Sequence, residues 1–325
     1  MGIRQNNLPR AICNSRQISL TSHRNFNRTI LAVHHFPFFT PFTINIRGHL
    51  YEIDRPQVMG IVNVTPDSFY SGSRTFDASA VARRTASLIA DGADMIDIGA
   101  YSSRPGAADV TPEEETERLR RGIAAVRTVA PDIPLSVDTF RAQVAEAAIS
   151  EMGADIINDI SGGSLDPAMA ETAARLHAPY ILMHMRGTPA TMQSLTDYDD
   201  VVNDVTADLA ARVQSFRQQG VADIIVDPGF GFSKTVEQNY ALLAATRHIS
   251  HSTGCPVLVG VSRKSMITRP LGITPEEALP ATTAVHVMAL EEGAAILRVH
   301  DAGAARQAIT LTSMYLSNKS SAPWI

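Results

Sequence analysis

The chain has 325 residues, of which 45% are hydrophobic and 19% are charged, and this is the composition of a globular protein. No apolar run approaches the roughly 18 residues that a membrane-spanning helix requires, so we expect no membrane partner. The residues beyond position 50 carry 22 basic and 33 acidic side chains, and this acidic balance argues against a nucleic-acid surface.

The first 50 residues are distinct, because they contain six arginines but no lysine and no acid. Such a leader is typical of an organellar transit peptide, and a disordered extension is the alternative interpretation. We therefore expect residues 1–41 to be a disordered or targeting tail and residues 42–325 to form one domain. Cys13 and Cys255 match no metal or redox spacing, which favours a reducing compartment. A cytoplasmic location is expected, or an organellar one if the tail is a transit peptide.

The chain beyond the tail begins with an alternating pattern. The run Phe-Thr-Ile-Asn-Ile-Arg-Gly-His-Leu-Tyr from Phe42 predicts a short N-terminal β-hairpin. Residues 57–72 then start as a buried strand and become polar at Asn63, shortly before Pro66 ends the strand. Polar side chains are thus expected at the carboxyl end of a core strand.

Two signals then alternate: a proline before an apolar run, and a glycine followed by a short spacer and an apolar run. In chain order they are Pro56, Gly92, Pro134, Gly153, Pro179, Gly220, Pro256 and Gly293. Helical patterns lie between them, two of which open with the capping sequence Thr-Pro-Glu-Glu, at Thr111 and Thr274. Eight strand–helix units in about 265 residues predict an α/β fold of the TIM (β/α)8 barrel type. A doubly wound open sheet is the alternative, but the first turn lacks Gly-x-Gly-x-x-Gly.

Polar residues follow all eight predicted strands. They are Asn63; Asp97 with Ser102, Ser103 and Arg104; Asp138; Asn158 with Asp159; His184 with Arg186; Asp227; Ser262 with Arg263 and Lys264; and Arg298 with His300. Since all strand ends of a barrel meet at one face, these residues should surround one pocket.

The pocket residues fall into two chemical groups. Asp138, Asn158 and Asp227 offer hydrogen-bond acceptors and one amide, which suits a flat heterocycle with an amide edge and an amino group. A cationic group suits a phosphorylated ligand. Its members are Arg104, Lys264, Arg298 and His300.

Eight short motifs carry a resemblance. They are Asn-Val-Thr-Pro-Asp-Ser-Phe, Asp-Ile-Gly-x-x-Ser-x-Arg-Pro-Gly, Ser-Val-Asp-Thr, Ile-Asn-Asp-Ile, Met-His-Met-x-Gly, Asp-Pro-Gly-Phe-Gly-Phe-x-Lys, Ser-Arg-Lys-Ser and Arg-Val-His-Asp, in that order. Together, across residues 57–301, they resemble the dihydropteroate synthase family. The resemblance implies a homodimeric transferase that uses Mg²⁺. Its reaction would join 6-hydroxymethyl-7,8-dihydropterin diphosphate to p-aminobenzoate by dissociative substitution, giving 7,8-dihydropteroate and diphosphate.

The resemblance also implies a role for individual residues. The pterin would be held by Asp138, Asn158, Asp227 and Lys264; the diphosphate by Ser103, Arg298 and His300; the magnesium through Asn63; and p-aminobenzoate by Arg104, Pro105, Phe232 and Ser262. The expected catalytic set is Asn63, Arg104, Asp138 and Lys264. One position departs from the family pattern, since Tyr101 stands where the family usually has glutamate.

Three other functions are compatible with parts of the pattern. A pterin-dependent methyltransferase would use the same barrel but would not need the anion sites at Ser262-Arg263-Lys264 and Arg298-Val299-His300. An aldolase would use Lys264 to form a Schiff base. A non-catalytic pterin-binding homologue would have lost the chemistry of the loop that follows Asn63.

Overall fold

The computed structural model describes Gly2 and residues 36–65, 77–101 and 110–320. Residues 1–41, assigned above to a tail, fall mostly outside these ranges, and so both interpretations of the tail remain predictions.

Eight parallel strands form the barrel, in the order in which they occur along the chain. They are β3 (Gln57–Asn63), β4 (Met95–Gly99), β5 (Leu135–Asp138), β6 (Ile156–Asp159), β7 (Tyr180–Met183), β8 (Ile224–Asp227), β9 (Leu258–Val259) and β10 (Ile296–Val299). β10 pairs with β3, and a bridge between Val226 and Val257 links β8 to the segment that enters β9. The predicted barrel is therefore confirmed, and the open-sheet alternative is wrong.

Helices follow the strands around the outside of the barrel. They are α1 (Ala78–Ala90), α2 (Pro112–Val129), α3 (Ala142–Ser150), α4 (Met169–Leu176), α5 (Val201–Gln218), α6 (Val236–Ala244), α7 (Thr246–Thr253), α8 (Ser265–Leu271), α9 (Leu279–Glu291) and α10 (Ala302–Ser320), and a short 3-10 turn covers Met192–Ser194.

The predicted caps form as the sequence indicates. Thr111 accepts a hydrogen bond from the backbone of Glu114 at 3.2 Å and begins α2. At the second capping sequence, Thr274 and Glu277 exchange hydrogen bonds of 2.9 and 3.4 Å, but the helix itself begins at Leu279. The cap is therefore correct, and the helix starts later than expected.

A glycine on β3 lets the first helix approach the sheet closely. A β-carbon at Gly60 would lie 2.9 Å from the side chain of Leu88, which is fully buried on α1. Because no larger residue fits there without displacing Leu88, Gly60 sets the distance between α1 and the strand that carries Asn63.

Aspartates just before two of the strands link neighbouring strands at the amino-terminal end of the barrel, which we call its lower end. Asp94 accepts a hydrogen bond from the backbone of Val58 at 2.9 Å, and Asp155 accepts one from that of Leu135 at 2.8 Å. Each carboxylate belongs to the segment that leads into one strand and binds the backbone at the start of the preceding one. These bonds fix the stagger of the strands, and hence the level at which they end.

The predicted hairpin closes this lower end. It comprises β1 (Phe42–Ile46) and β2 (His49–Ile53), joined by a two-residue turn in which Arg47 and Gly48 have φ values of 52° and 80°. Two positive φ values match the right-handed twist of a tight hairpin. Arg47 then pairs with Asp155 at 2.6 Å, which fastens the hairpin to the barrel.

An aromatic segment precedes the hairpin. Phe36 and Phe39 are buried in the main hydrophobic core, and the Phe39 ring lies 6.2 Å from that of Phe42. The packed part of the chain therefore includes residues on the amino-terminal side of the expected boundary at residue 42.

Candidate active site

The site is centred on Arg298 of β10, at the upper end of the barrel, where the carboxyl ends of the strands lie. Its Nε donates to Asp97 Oδ2 at 2.7 Å, and its Nη2 donates to Asp138 Oδ2 at 2.8 Å. Asn158 also donates to Asp97 Oδ2, at 3.2 Å. Four residues from β4, β5, β6 and β10 thus form one hydrogen-bonded group.

Asp138 lies in an unusual electrostatic environment. Burial raises the pKa of Asp138 to about 7, and although the Arg298 guanidinium lowers it, the Asp97 carboxylate raises it further. As the carboxylate, Asp138 can accept hydrogen bonds from a ring edge that presents N–H groups, and such donors would favour its ionised form against the effect of burial.

Asp97, in the motif Asp-Ile-Gly, was expected at the pocket as a strand-end residue, but no binding or catalytic role was assigned to it. It is fully buried, and its Oδ1 makes no hydrogen bond with any of the residues that the structure describes. A charged group next to a buried apolar run was the available signal, because such a group is costly unless it is paired or used.

A second group forms between β8 and β9. Asp227 accepts a hydrogen bond from the backbone of Gly229 at 2.7 Å, while Lys264 Nζ donates to the carbonyl of Phe230 at 2.6 Å. The Lys264 ammonium also lies 4.9 Å from the centroid of the Phe232 ring. The structure therefore brings three expected residues, Asp227, Phe232 and Lys264, together.

The charges of this second group support one another. Burial raises the pKa of Asp227, and the Lys264 ammonium opposes that rise. Burial also lowers the pKa of Lys264 to about 8, and Asp227 opposes that fall. Each group thus favours the charged form of the other.

His300 and Ser262 form a third group, where β9 and β10 end. Ser262 Oγ lies 3.0 Å from His300 Nδ1 and accepts a hydrogen bond from the His300 backbone at 3.2 Å. Burial, followed by the nearby Arg298, lowers the pKa of His300 to about 4. The ring is therefore neutral at neutral pH, which differs from the expectation that His300 adds a positive charge.

Two arginines surround this third group: Arg263, which was expected at a strand end, and Arg84, which the sequence analysis did not place at the site. Arg263 pairs with Asp301 through two bonds of 2.7 and 3.0 Å, and Arg84 on α1 contacts the His300 carbonyl. The signal for Arg263 was its place inside the motif Ser-Arg-Lys-Ser. Arg84 gave none, because it lies within a helix.

An apolar wall completes the pocket. Ile160, Met183, Met185 and Met192 form a separate buried cluster, against which partly buried side chains pack. These partly buried side chains are Phe140, Leu165 and Phe232. A flat, polarisable ligand could therefore lie on this wall with its polar edge toward the carboxylates.

Several expected residues cannot be placed. Ser103, Arg104 and Pro105 lie outside the described residues. Asn63 is described: it ends β3, is half-buried, and pairs in register with Gly99. Within residues 36–65, 77–101 and 110–320, no three His, Cys, Asp or Glu side chains converge to hold a metal ion.

The profile of the pterin-binding enzymes matches residues 59–300 of the chain. A dihydropteroate synthase of Synechocystis sp. is 44% identical over 256 residues, which cover 78% of this chain and 88% of that protein. A solved dihydropteroate synthase of Xanthomonas albilineans with 4-aminobenzoic acid is 38% identical, with a TM-score of 0.78, and covers 85% of this chain and 99% of that one. The same enzyme with 7,8-dihydropteroate gives 36% identity, a TM-score of 0.76, and coverage of 85% and 99%.

The chain belongs to the dihydropteroate synthase family. The resemblance seen in the eight motifs is thereby confirmed. Dihydropteroate synthases are transferases, and so the chain is an enzyme of that class. None of the helices in the described part of the chain is long and apolar enough to cross a membrane.

The position that departs from the family pattern has a clear packing role in this synthase. The Tyr101 ring meets the Phe140 ring edge-on at 5.0 Å, and the Arg141 guanidinium lies 5.4 Å from the Tyr101 ring centroid. Arg141 in turn pairs with the fully buried Glu115. An aromatic and cationic contact thus occupies the place where the family usually has a carboxylate.

Proposed function

We propose that this dihydropteroate synthase joins 6-hydroxymethyl-7,8-dihydropterin diphosphate to p-aminobenzoate at the upper end of its barrel. The observation that carries the proposal is the convergence of Asp138, Asn158 and Asp227 with Lys264 and Arg298 on one pocket. The Xanthomonas albilineans enzyme has been solved with 4-aminobenzoic acid and with 7,8-dihydropteroate, a substrate and the product of this reaction.

The carboxylates would select the pterin ring. Asp227 and Asp138 each offer acceptors to adjacent N–H groups of the ring edge, and Asn158 offers an amide oxygen as well as its N–H. The apolar cluster of Ile160, Met183, Met185 and Met192 would then contact one ring face. Both features require a flat heterocycle, not a phosphorylated sugar.

The diphosphate would lie toward the ends of β9 and β10. Lys264 supplies a positive charge there, and the neutral His300 ring is a hydrogen-bonding partner. Arg298 lies between the carboxylates that would bind the pterin and the ends of β9 and β10. Its guanidinium would therefore contact both the pterin and the diphosphate of the first substrate. Ser103 is assigned to the same group by resemblance.

The described residues fit a magnesium ion that arrives with the diphosphate. Asn63 offers one amide oxygen at the end of β3, and Mg²⁺ is usually held by one or two protein oxygens together with phosphate oxygens and water. When bound, the ion would neutralise charge on the leaving diphosphate. Asn63 is the residue that would hold it.

The reaction would proceed by dissociation of the diphosphate. Cationic side chains stabilise the charge that develops on the leaving group, and the electron-rich ring stabilises the cationic methylene. A neutral arylamine is already nucleophilic, so the site needs no strong general base. Arg104, Pro105, Phe232 and Ser262 would position p-aminobenzoate, with Ser262 acting beside His300.

We also propose a homodimer, formed through helices α8 to α10. Large apolar side chains are exposed on these helices: Leu271, Leu279, Met288, Leu311, Met314 and Tyr315. A second copy of the chain is the proposed partner. Sedimentation of wild type and of Leu311→Arg at micromolar concentration tests this, and a 35 kDa species in both would contradict it.

An assay of diphosphate release tests the reaction. Release should require both the dihydropterin diphosphate and p-aminobenzoate, and 7,8-dihydropteroate should appear in equal amount. Asp227→Ala should abolish release, whereas Lys319→Met, at an exposed residue of α10, should match wild type. Release without p-aminobenzoate, or no dihydropteroate, would overturn the proposal.

A further inference from the structure

The chain has only three lysines among its 28 basic residues, and two of them lie at the same site. Lys264 is assigned above to the pterin and the diphosphate. Lys234 has no assignment, although it is 5% exposed and ends the glycine-rich segment that begins at Asp227. The third, Lys319, is exposed on α10.

The Lys234 ammonium is held among backbone carbonyls and a neutral ring. Its Nζ donates to the Phe232 carbonyl at 2.9 Å and lies 3.5 Å from the carbonyl of His184. It also lies 3.0 Å from His184 Nδ1. Burial, followed by the charge of Lys234, lowers the pKa of His184 to about 2, so the ring is neutral and Nδ1 can accept the hydrogen bond.

Residues 227–233, which precede Lys234, pack closely against the residues that follow β7. A β-carbon at Gly229, where φ is 73°, would lie 2.0 Å from the His184 carbonyl oxygen. Ser233 adopts a left-handed φ of 49°, and its Oγ accepts a hydrogen bond from the backbone of Arg186 at 3.0 Å. Left-handed backbone is unfavourable for a serine, so the surrounding contacts must maintain it.

Both lysines bind backbone carbonyls of this segment. Lys264 binds the Phe230 carbonyl at 2.6 Å, and Lys234 binds that of Phe232 at 2.9 Å. Both ammonium groups also favour the ionised form of Asp227, against the effect of burial. A single buried cation thus reaches both the residue expected to frame p-aminobenzoate and a residue expected to bind the pterin.

We propose that Lys234 is a positioning residue for both substrates. Through the Phe232 carbonyl it sets the place of the Phe232 ring, and through its charge it keeps Asp227 an acceptor. This inference rests on the proposed function. A lysine suits the position better than an arginine, because a compact ammonium can lie between two carbonyls whereas the planar guanidinium is larger.

The charged groups around Lys234 come from four elements. Burial lowers the pKa of Lys234 to about 7, and Asp227 at the end of β8 opposes this. Lys264 and Arg186 lower it further, and Asp208 on α5 raises it. Asp227 thus favours the ammonium form of Lys234, and Lys234 in turn favours ionised Asp227, though less than Lys264 does, which couples the two proposed subsites.

Steady-state kinetics of Lys234→Met tests the assignment, with Lys319→Met as the matched control. Loss of a hydrogen bond to a charged donor should raise KM for p-aminobenzoate by about 10- to 100-fold. Calorimetry should also detect weaker binding of the dihydropterin diphosphate. Lys234→Arg keeps the positive charge, so it should restore pterin binding more fully than p-aminobenzoate capture.

The outcomes separate the alternatives. A merely structural lysine would lower kcat through a smaller folded fraction and leave both KM values unchanged, and that result would overturn the proposal. If Lys234→Met fails to fold, Lys234→Gln replaces it, since it keeps an N–H donor without charge; failure of both to fold would also overturn the proposal. If wild type and Lys319→Met form no dihydropteroate, the proposed function fails instead.

Discussion

Arg298 Nη2 lies 2.8 Å from Asp138 Oδ2 and 2.6 Å from Asp97 Oδ2, so two carboxylates share one guanidinium. With both acids ionised, this group of three carries a net negative charge in a poorly solvated part of the barrel. Such a group is costly to the fold, and its retention is expected where a ligand completes it.

The cost should be visible in the stability of Asp138→Asn. The folded-state pKa of Asp138 is about 7 against an ordinary value of 3.8, so the folded protein binds this proton more tightly than the unfolded chain. The resulting stabilisation is fully present below about pH 3.8 and is lost progressively as the pH rises to about 7. Asp138→Asn should therefore have its largest Tm advantage over wild type at pH 8, and this advantage should be clearly smaller at pH 5.

Thermal unfolding of both proteins across this range checks the prediction. The other buried acids titrate in both proteins and cancel in the difference. Equal Tm differences at pH 5 and pH 8 would mean that Asp138 is an ordinary ionised carboxylate. The same variant should lose activity at both pH values, because its side chain has one acceptor oxygen and its NH2 group would face the second ring N–H.

The pair Arg263–Asp301 should couple the ends of β9 and β10. Arg263 has a left-handed φ of 58°, and its backbone N–H donates to Thr282 at 3.2 Å. Because the bidentate pair stabilises this conformation, Arg263→Ala and Asp301→Ala should each lower kcat/KM. The double variant should have a kcat/KM no lower than that of the less active single variant. In the free energy of unfolding, a coupling of about 0.5–3 kcal/mol is expected for a contacting pair of this kind.

An exposed pair on α2 supplies the control for that cycle. Arg121 and Glu117 lie 2.7 Å apart, with 56% and 51% of their side chains exposed. The coupling of this pair in the free energy of unfolding should not exceed about 0.5 kcal/mol. If the Arg263–Asp301 coupling is no larger than this, the pair does not hold the two segments together.

The amino-terminal boundary leads to a different prediction. A chain that starts at Phe36 should keep its stability, whereas one that starts at Phe42 loses the buried Phe36 and Phe39 rings and the contact of Phe38 with Arg247 at 3.5 Å. Burial of one such ring contributes roughly 1.5–3 kcal/mol, so the shorter chain should be less stable by at least about 2 kcal/mol. Urea unfolding of the two chains decides this, and equal midpoints would place the boundary at residue 42.

The barrel was predictable because a proline or a glycine precedes each strand, and both residues mark strand starts through local backbone chemistry. Element boundaries were less predictable where no such residue interrupts a helical pattern. The continuous helical pattern of residues 236–250 is divided at Ala245 into α6 and α7, and Ala245 carries no helix-breaking signal. The seven-residue α8 was missed, since Pro270 lies inside it and argues against a helix.

The same distinction applies to the site. Residues such as Asp138 and Asp227 were predictable as strand ends, but their partners were not, because Arg298 is 160 positions from Asp138. Pairings over such distances depend on how the barrel closes. Likewise, on α9 Met288 is exposed while Val285 and Leu290 are buried, a division that depends on how the helix packs against the barrel.

The last prediction concerns the order in which the substrates bind. Asp138, Asn158 and Asp227 lie within the last two residues of three barrel strands, so we expect the pterin site to be formed in the free enzyme. The sequence assigns Arg104 and Pro105 to a loop, and loops need a contact to order them. Phe232 belongs to the fixed part, because Lys234 and Ser233 hold its segment against β7. Binding of the diphosphate is therefore expected to complete the p-aminobenzoate site through Arg104.

Calorimetry can test this order directly. The dihydropterin diphosphate should bind the free enzyme, and p-aminobenzoate should bind well only when pterin and diphosphate are present. Asp138→Ala should weaken pterin binding by about 1–3 kcal/mol, because one ring donor loses its partner. Arg104→Ala should leave pterin binding unchanged and impair p-aminobenzoate capture, while Arg121→Ala, on the exposed face of α2, should change neither. Tight binding of p-aminobenzoate to the free enzyme would show that the second site is already formed, and the ordered scheme would then be wrong.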